Sequence, residues 1–287
     1  MFEQVVFAGG GNRCWWQAGF WDVVAPAIEL RPRVIVGVSA GSATACLLYA
    51  NESRRALAYY REALAGVVKN AHWENSFSRD KKVFPHAQIY RTAMKKLLGG
   101  DSFKQLLWSA PEIRIVYSRV PGWLGPRTGT LVGISAYNLE KHWLRPLHPT
   151  WGSKLGFRSE FVRVQDCKTE DELVSLIISS SCTPPFTPLE YRDGEATLDG
   201  GLVDNIPVAS ADSTGGSMLV LATRRYPKHA PVFMRDGRTY VQPSQPVVAS
   251  SWDYTSVDRM EQTYELGESD GRAFLSNFAR QPVHLDS

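Results

Sequence analysis

Ser39 stands in Gly37-Val38-Ser39-Ala40-Gly41, a G-x-S-x-G that follows the apolar run Val34-Ile35-Val36 and precedes an Ala-rich stretch with helical spacing. A serine on a tight strand-to-helix turn is held open at the carboxyl edge of a sheet, and flanking glycines (Gly37, Gly41) let the backbone turn without a side-chain clash. The helix beyond it offers the partial positive charge of its N-terminus and the Ala40 N–H to a forming oxyanion. Two roles fit such a serine, a nucleophile for acyl transfer and a simple helix N-cap. A second glycine turn, Gly9-Gly10-Gly11-Asn12-Arg13, again comes straight after an apolar run, Val5-Val6-Phe7-Ala8. Successive glycines expose bare N–H groups that suit a phosphate or an oxyanion. Arg13 either ties this loop down or holds an anionic head group. A third site, Leu198-Asp199-Gly200-Gly201, puts a carboxylate at a strand end before two glycines, the presentation of a general base, although D-G-G alone is commonly a turn. The order glycine loop, serine elbow, aspartate, each at a strand end, makes coincidence a poor account of all three.

The elements that must carry these sites can be read from periodicity. β-rich runs are expected at residues 4–8, 33–36, 112–117, 161–165, 196–198 and 218–223, with helical spacing between them, notably at 42–64 and 170–179. Strand alternating with helix implies an α/β fold with a largely parallel sheet covered on both faces. With 287 residues the chain can bury a full core without disulfides or metal. The 32 Lys+Arg against 29 Asp+Glu give no basic excess that would point to nucleic acid. Cys14, Cys46, Cys167 and Cys182 form no C-x-x-C, and His72, His86, His142 and His148 have no metal spacing, so neither zinc nor a redox motif is indicated. Cys14 occupies the place of the third glycine of a dinucleotide fingerprint, and no P-loop occurs, which leaves a nucleotide little support. No apolar run is long enough for a membrane span, and the run at 5–8, without a basic leader, is no secretory signal. Reduced thiols in a cytoplasmic protein are the expectation.

The chain resembles the patatin-like phospholipases, lipid acyl hydrolases that use a Ser–Asp dyad. The likeness runs through Gly9-Gly10-Gly11-Asn12-Arg13, the Ser39 elbow, Ser179-Ser180-Ser181-Cys182-Thr183-Pro184-Pro185-Phe186, and Leu198-Asp199-Gly200-Gly201-Leu202-Val203-Asp204-Asn205-Ile206-Pro207. It implies a three-layer α/β/α fold with a mainly parallel sheet, a core over residues 4–212, and a C-terminal extension, 213–287, packed on the same domain. It also implies Ser39 as nucleophile, Asp199 as base, an oxyanion hole from Gly9, Gly10, Gly11 and Ala40, a lipid or acyl-ester substrate, and no cofactor or metal. Cys14 stands where a glycine often follows the loop arginine, which places a side chain beside the loop. A dyad aspartate must work near neutral pH, so burial is expected to raise its pKa above the ordinary value of about 3.9.

Two other readings remain open. A Ser–Asp–His triad of the α/β-hydrolase kind would need His229 or His284, both in positions suited to the surface. A lipid-binding relative without catalysis is the second. Membrane-surface contact is considered at two segments. In residues 79–98 the bases Arg79, Lys81, Lys82, Arg91, Lys95 and Lys96 alternate with apolar residues, as in an interfacial or an ordinary solvated helix. Residues 117–130, with Trp123 and Leu124 among turn formers, suit a lid, an acyl-site wall or plain packing. Nine Trp, eleven Tyr and twelve Phe are rich for such a chain, and some are expected along an acyl groove near Ser39. Residues 227–251 look loosely specified, followed by a final helix from about Tyr254 without a catalytic role.

Overall fold

The structure, a computed structural model, describes residues 2–75, 83–108, 111–143, 146–212 and 215–280. In chain order its elements are β1 (Gln4–Phe7), α1 (Trp15–Ala27), β2 (Val34–Val38), α2 (Ala40–Tyr49), α3 (Ser53–Leu64), α4 (His86–Leu98), α5 (Asp101–Trp108), β3 (Glu112–Arg119), α6 (Pro126–Trp143), α7 (Trp151–Lys154), β4 (Arg158–Arg163), α8 (Glu170–Ser180), β5 (Glu190–Arg192), β6 (Glu195–Asp199), α9 (Ala209–Asp212), β7 (Met218–Leu221), β8 (Val232–Arg235), β9 (Arg238–Val241) and α10 (Val257–Arg280).

The strands form one sheet in the order β5-β6-β3-β2-β1-β7-β9-β8, with β4 also on β3. The centre is parallel: β3 pairs with β2, β2 with β1, β1 with β7 and β7 with β9, while β4, β5, β6 and β8 run antiparallel to their neighbours. β1 and β2 are buried throughout, as the apolar runs Val5–Phe7 and Val34–Val36 require, and Gln4 is buried with them. Their side chains alternate between two cores. Val5, Phe7 and Ile35 face the helices α1, α2, α8 and α10, while Val6, Val34, Val36 and Val38 face Ile206, Val208 and Ala211. A smaller third core gathers Phe157, Leu198, Leu202 and Val203 beneath α6.

Several boundaries differ from the sequence expectation. The helical stretch at 42–64 is two helices, broken at Ala50, Asn51 and Glu52, where Asn51 takes a φ of 58°. The loosely specified stretch after β7 holds the β8–β9 hairpin, which extends the sheet edge with half-exposed, short strands. β5 and the eighteen-residue α6 were not anticipated either. α10 lies closely on α1: a Cβ at Gly19 would collide with the Tyr264 carbonyl and one at Gly267 with that of Trp16. Phe20 meets Phe274 edge-on at 5.4 Å, and Trp16 donates its indole N–H to Asp270 at 2.8 Å. Among the described residues no helix is long and apolar enough to cross a membrane.

Candidate active site

Ser39 and Asp199 are brought together by one edge of β3. β2 pairs with β3 up to Val38 opposite Val116, and β6 pairs with it from the other direction, ending with Asp199 opposite Tyr117. β4 occupies the opposite edge of β3 over residues 114–119, so β2 and β6 must share the remaining edge and run towards each other. Their ends meet between neighbouring residues of β3, and that abutment sets serine against aspartate.

The serine hydroxyl donates to Asp199 Oδ2 at 2.5 Å. Ser39 has φ 55° and ψ −136°, a conformation that costs a side-chain-bearing residue about 1–3 kcal/mol and survives only where its surroundings enforce it. They do. The Ser39 N–H donates to Ser180 Oγ at 2.8 Å, Ser180 donates on to the Val116 carbonyl at 2.6 Å, and Ser42 Oγ donates to the Ser39 carbonyl at 2.5 Å. The elbow glycines are needed for close approach, since a Cβ at Gly37 would lie 2.5 Å from Ser42 Cα and one at Gly41 2.5 Å from the Ala8 carbonyl. Ser39 makes no side-chain cap bond to α2, so the N-cap role is not the one its hydroxyl fills.

Asp199 is held on both oxygens. Gly201 N–H donates to Oδ1 at 2.7 Å, Thr183 Oγ1 reaches Oδ2 at 3.4 Å, and the Asp199 amide donates to the Cys182 carbonyl at 2.7 Å. Gly200 lies against β3, where a Cβ would be 2.7 Å from the Val116 carbonyl. Burial pushes the Asp199 carboxyl up to about 6, against the opposing pull of the hydrogen bonds from Ser39, Gly201 and Thr183. A carboxylate so placed accepts a proton from a neighbouring hydroxyl more readily than an exposed one.

The glycine loop is clamped from two sides. Asn205 Nδ2 and Thr223 Oγ1 both donate to the Gly9 carbonyl, at 2.9 and 2.6 Å, and the Gly9 amide donates to the Asn205 carbonyl at 3.1 Å. That corrects the expectation for Gly9: its N–H is occupied, and the residue fixes the loop instead of facing an oxyanion. The amides of Gly10, Gly11 and Ala40 have no acceptor among the described residues. Arg13 donates from Nε to the Gly10 carbonyl at 3.2 Å, so it does tie the loop down. Asn12 carries the clamp to the C-terminal segment, its amide reaching the Ser251 carbonyl at 3.2 Å and its side chain the Asp253 carbonyl at 2.7 Å. Cys14 is buried with its thiol 3.7 Å from the Ala8 carbonyl, and desolvation raises its pKa to about 12, which leaves it an inert apolar filler.

Ser39 opens onto a partly open apolar pocket. The pocket lies on the helical side of the sheet. Ala43, Leu47 and Leu48 of α2 form its floor, with Trp15 of α1, Met94 of α4 and Tyr254 among its walls. Trp252 closes it, stacked on Phe186 at 4.8 Å. Ser180 and Thr183 lie in the 179–186 stretch that carries the resemblance, but their roles as supports could not be read from it; no motif marks Thr223 as a support or Trp252 and Tyr254 as walls, because their roles arise from long-range packing. The Trp123 loop is not a wall of this pocket, and Trp123 is 74% exposed. In the segment 79–98, Arg79, Lys81 and Lys82 lie outside the described residues. The apolar face of α4 (Met94, Leu97, Leu98) is buried in the core, which corrects the interfacial-helix reading for the described residues 83–98: they leave no apolar stripe for a bilayer.

The triad reading fares no better. His229 stacks on Phe233 at the sheet edge, 4.3 Å between centroids, and His284 lies outside the described residues. His148 does meet a carboxylate, Asp204, at 3.0 Å, but its other ring nitrogen is taken by the Tyr240 hydroxyl at 3.2 Å. Asp199 has no histidine partner among the described residues.

Among solved structures the chain is similar to VipD from Legionella pneumophila, at 11% identity and a TM-score of 0.42, covering 96% of this chain and 67% of that one. No curated protein matches the sequence. The family model for patatin-like phospholipases matches residues 5–212, which take in the glycine loop, the elbow, Asp199 and its supports up to α9. The chain belongs to the patatin-like phospholipase family.

Proposed function

We propose that this member of a family of lipid acyl hydrolases cleaves carboxylic esters of phospholipids or lysophospholipids with Ser39 as nucleophile and Asp199 as its base. The observation that carries the reading is the 2.5 Å bond from Ser39 Oγ to a buried Asp199 whose pKa is raised, at the mouth of an apolar pocket. Asp199 takes the serine proton, Ser39 Oγ attacks the ester carbonyl, and the oxyanion is met by the amides of Gly10, Gly11 and Ala40. Collapse of the tetrahedral intermediate releases the alcohol, which takes back the proton from Asp199. Water, deprotonated by the same carboxylate, then cleaves the acyl-enzyme. The acyl chain occupies the pocket between α1, α2 and α4. The serine conformation favours catalysis over a lipid-binding role without chemistry, since a strained elbow serves no packing purpose. The four cysteines are all free and buried, as suits a cytoplasmic enzyme that meets lipid at a membrane surface.

The test is a mixed lipid extract incubated with wild type and with Ser39→Ala, read by mass spectrometry, with a fluorophosphonate probe in parallel. Wild type should release fatty acid and take the label, and Ser39→Ala should do neither. Release by both proteins alike, or an unlabelled wild type beside a labelled control hydrolase, removes the dyad.

A further inference from the structure

Residues 242–256 form neither helix nor strand and lie beyond the part of the chain that the family model matches. Three of them, Ser251, Trp252 and Tyr254, nevertheless stand in the wall of the pocket at Ser39. A stretch without a hydrogen-bond ladder of its own is ordered by what it is tied to. Here the ties run to the glycine loop and to the pocket wall. The Ser251 carbonyl accepts from the Asn12 amide at 3.2 Å, and the Asp253 carbonyl from Asn12 Nδ2 at 2.7 Å. Between them the Trp252 carbonyl accepts from His86 Nε2 at 2.9 Å, so three successive carbonyls are held. Asn70 closes the stretch, donating to Asp253 Oδ1 at 3.0 Å and accepting from the Tyr254 amide at 2.7 Å. Gly11 packs on the same backbone, where a Cβ would lie 2.2 Å from the Ser251 carbonyl.

Gly11 and Asn12 are thus fixed by Ser251 and Asp253, the two neighbours of Trp252. The Trp252 ring lies nearly parallel to Phe186, 8° between planes and 4.8 Å between centroids, and borders the pocket. Phe186 belongs to the other half of the site: its amide donates to the Thr183 carbonyl at 3.1 Å, and Thr183 Oγ1 reaches Asp199. One ring pair therefore joins the support of the glycine loop to the support of the aspartate, across the wall of the pocket. An empty apolar pocket leaves its wall without dispersion partners on that side, and a chain that fills it supplies them. Contacts made far from the reacting atoms raise kcat when they secure the geometry that the transition state needs.

We propose that Trp252 is a positioning residue through which the acyl chain acts on the glycine loop: a chain that fills the pocket steadies residues 251–253, and with them holds the Gly11 amide where it meets the oxyanion. The inference rests on the acyl-hydrolase reading and deepens it, since it assigns the site to long-chain acyl esters and places the preference in kcat. An acetyl group leaves most of the wall without a partner and is cleaved with a less firmly held loop. A wall that only bound the chain would act alike on ground state and transition state and would change KM alone.

The test measures kcat and KM separately on p-nitrophenyl acetate and p-nitrophenyl dodecanoate. The oxyanion forms in both acylation and deacylation, so kcat reads the loop whichever step limits it. In the wild-type protein kcat should be higher for the dodecanoyl ester. Trp252→Ala should lower kcat for the dodecanoyl ester roughly tenfold more than for the acetyl ester, as loosened alignment does. Trp252→Phe, which keeps a flat ring against Phe186, should recover most of that loss. Because the effect passes through Asn12, adding Trp252→Ala to Asn12→Ala should change the ratio by less than about threefold. A raised KM with the kcat ratio unchanged makes Trp252 a plain wall and overturns the proposal. So does an equal loss of kcat on both esters, or a Trp252→Ala effect undiminished in Asn12→Ala. Should Trp252→Ala not fold, alkyl fluorophosphonates on the wild-type protein decide: lengthening the alkyl chain should raise the inactivation rate constant, and a gain confined to KI ends the proposal. Wild-type turnover of neither ester removes the acyl-hydrolase reading and this inference with it, whereas turnover of both without dependence on Trp252 removes this inference alone.

Discussion

On the proposed mechanism, a carboxyl raised to about 6 must lose its proton before it can accept one from Ser39. The rate constant kcat/KM should therefore fall on the acid side with an apparent pKa near 6, about two units above a free aspartate, and a pH profile between 4 and 8 reads it. A midpoint near 4 counts against the buried base. The same shift bears on stability. Between the ordinary 3.8 and about 6 the folded chain binds the proton more tightly than the unfolded one, so rising pH removes stability across that window. Above it the ionised side chain costs on the order of 3 kcal/mol. Asp199→Asn should thus abolish most turnover yet raise the melting temperature at pH 7.5 by more than at pH 5. Equal shifts at both pH values would mean that the carboxyl is not the strained group. Ser39, Asp199 and the glycines around them were legible in the sequence because such turns demand particular residue types at fixed spacing. Gly9 was misjudged for a physical reason: which glycine amide is free depends on Asn205, and nothing in the loop itself records that partner.

At the scale of elements, the pocket belongs to helices. α2 gives small residues near the serine and larger ones farther along, from Ala43 to Leu47 and Leu48, so the space for a chain is bounded by side-chain volume on one helix face. Leu47→Trp should shorten it. Turnover of a dodecanoyl ester should fall at least about tenfold more than that of a butanoyl ester, as overpacking excludes methylenes from a site that cannot expand. p-Nitrophenyl esters of graded length measure this, and an unchanged chain-length profile would place the acyl chain elsewhere. The central strands and α8 could be anticipated from unbroken apolar runs and helical spacing. β5 and β8 could not, because edge strands of three or four largely exposed residues lack the burial that produces a pattern, and β9, though inside the sheet, is only four residues long with two of them buried. The pocket wall at Ser251, Trp252 and Tyr254 was equally hidden. Its residues have no regular structure and are held by Asn12 and His86, far away in the chain.

For the molecule as a whole, the aromatic excess divides by depth. Trp16, Phe20 and Trp21 serve the core, Trp15, Tyr90 and Tyr254 line the pocket, and Trp123 and Trp143 stay exposed at 74 and 78%. The C-terminal helix is part of the same body, its glycines seated on α1. The abutment of β2 and β6 on β3 has a temporal consequence. The Ser39 and Asp199 side chains are 160 residues apart in the chain, and each is delivered by a strand paired to β3. Contacts of such separation form late, since loop closure must precede the bonds that reward it. In refolding from denaturant, far-UV circular dichroism should recover before fluorophosphonate reactivity does; simultaneous recovery would argue against this order. Moving Asp199 by a single register step along β3 would turn its carboxyl to the other face of the sheet. If Ser39 is the nucleophile proposed above, the nascent chain carries a serine that stays chemically silent until the pairing is complete and correct, and the fold itself withholds an acyl-transfer reagent from lipid until there is a pocket to direct it.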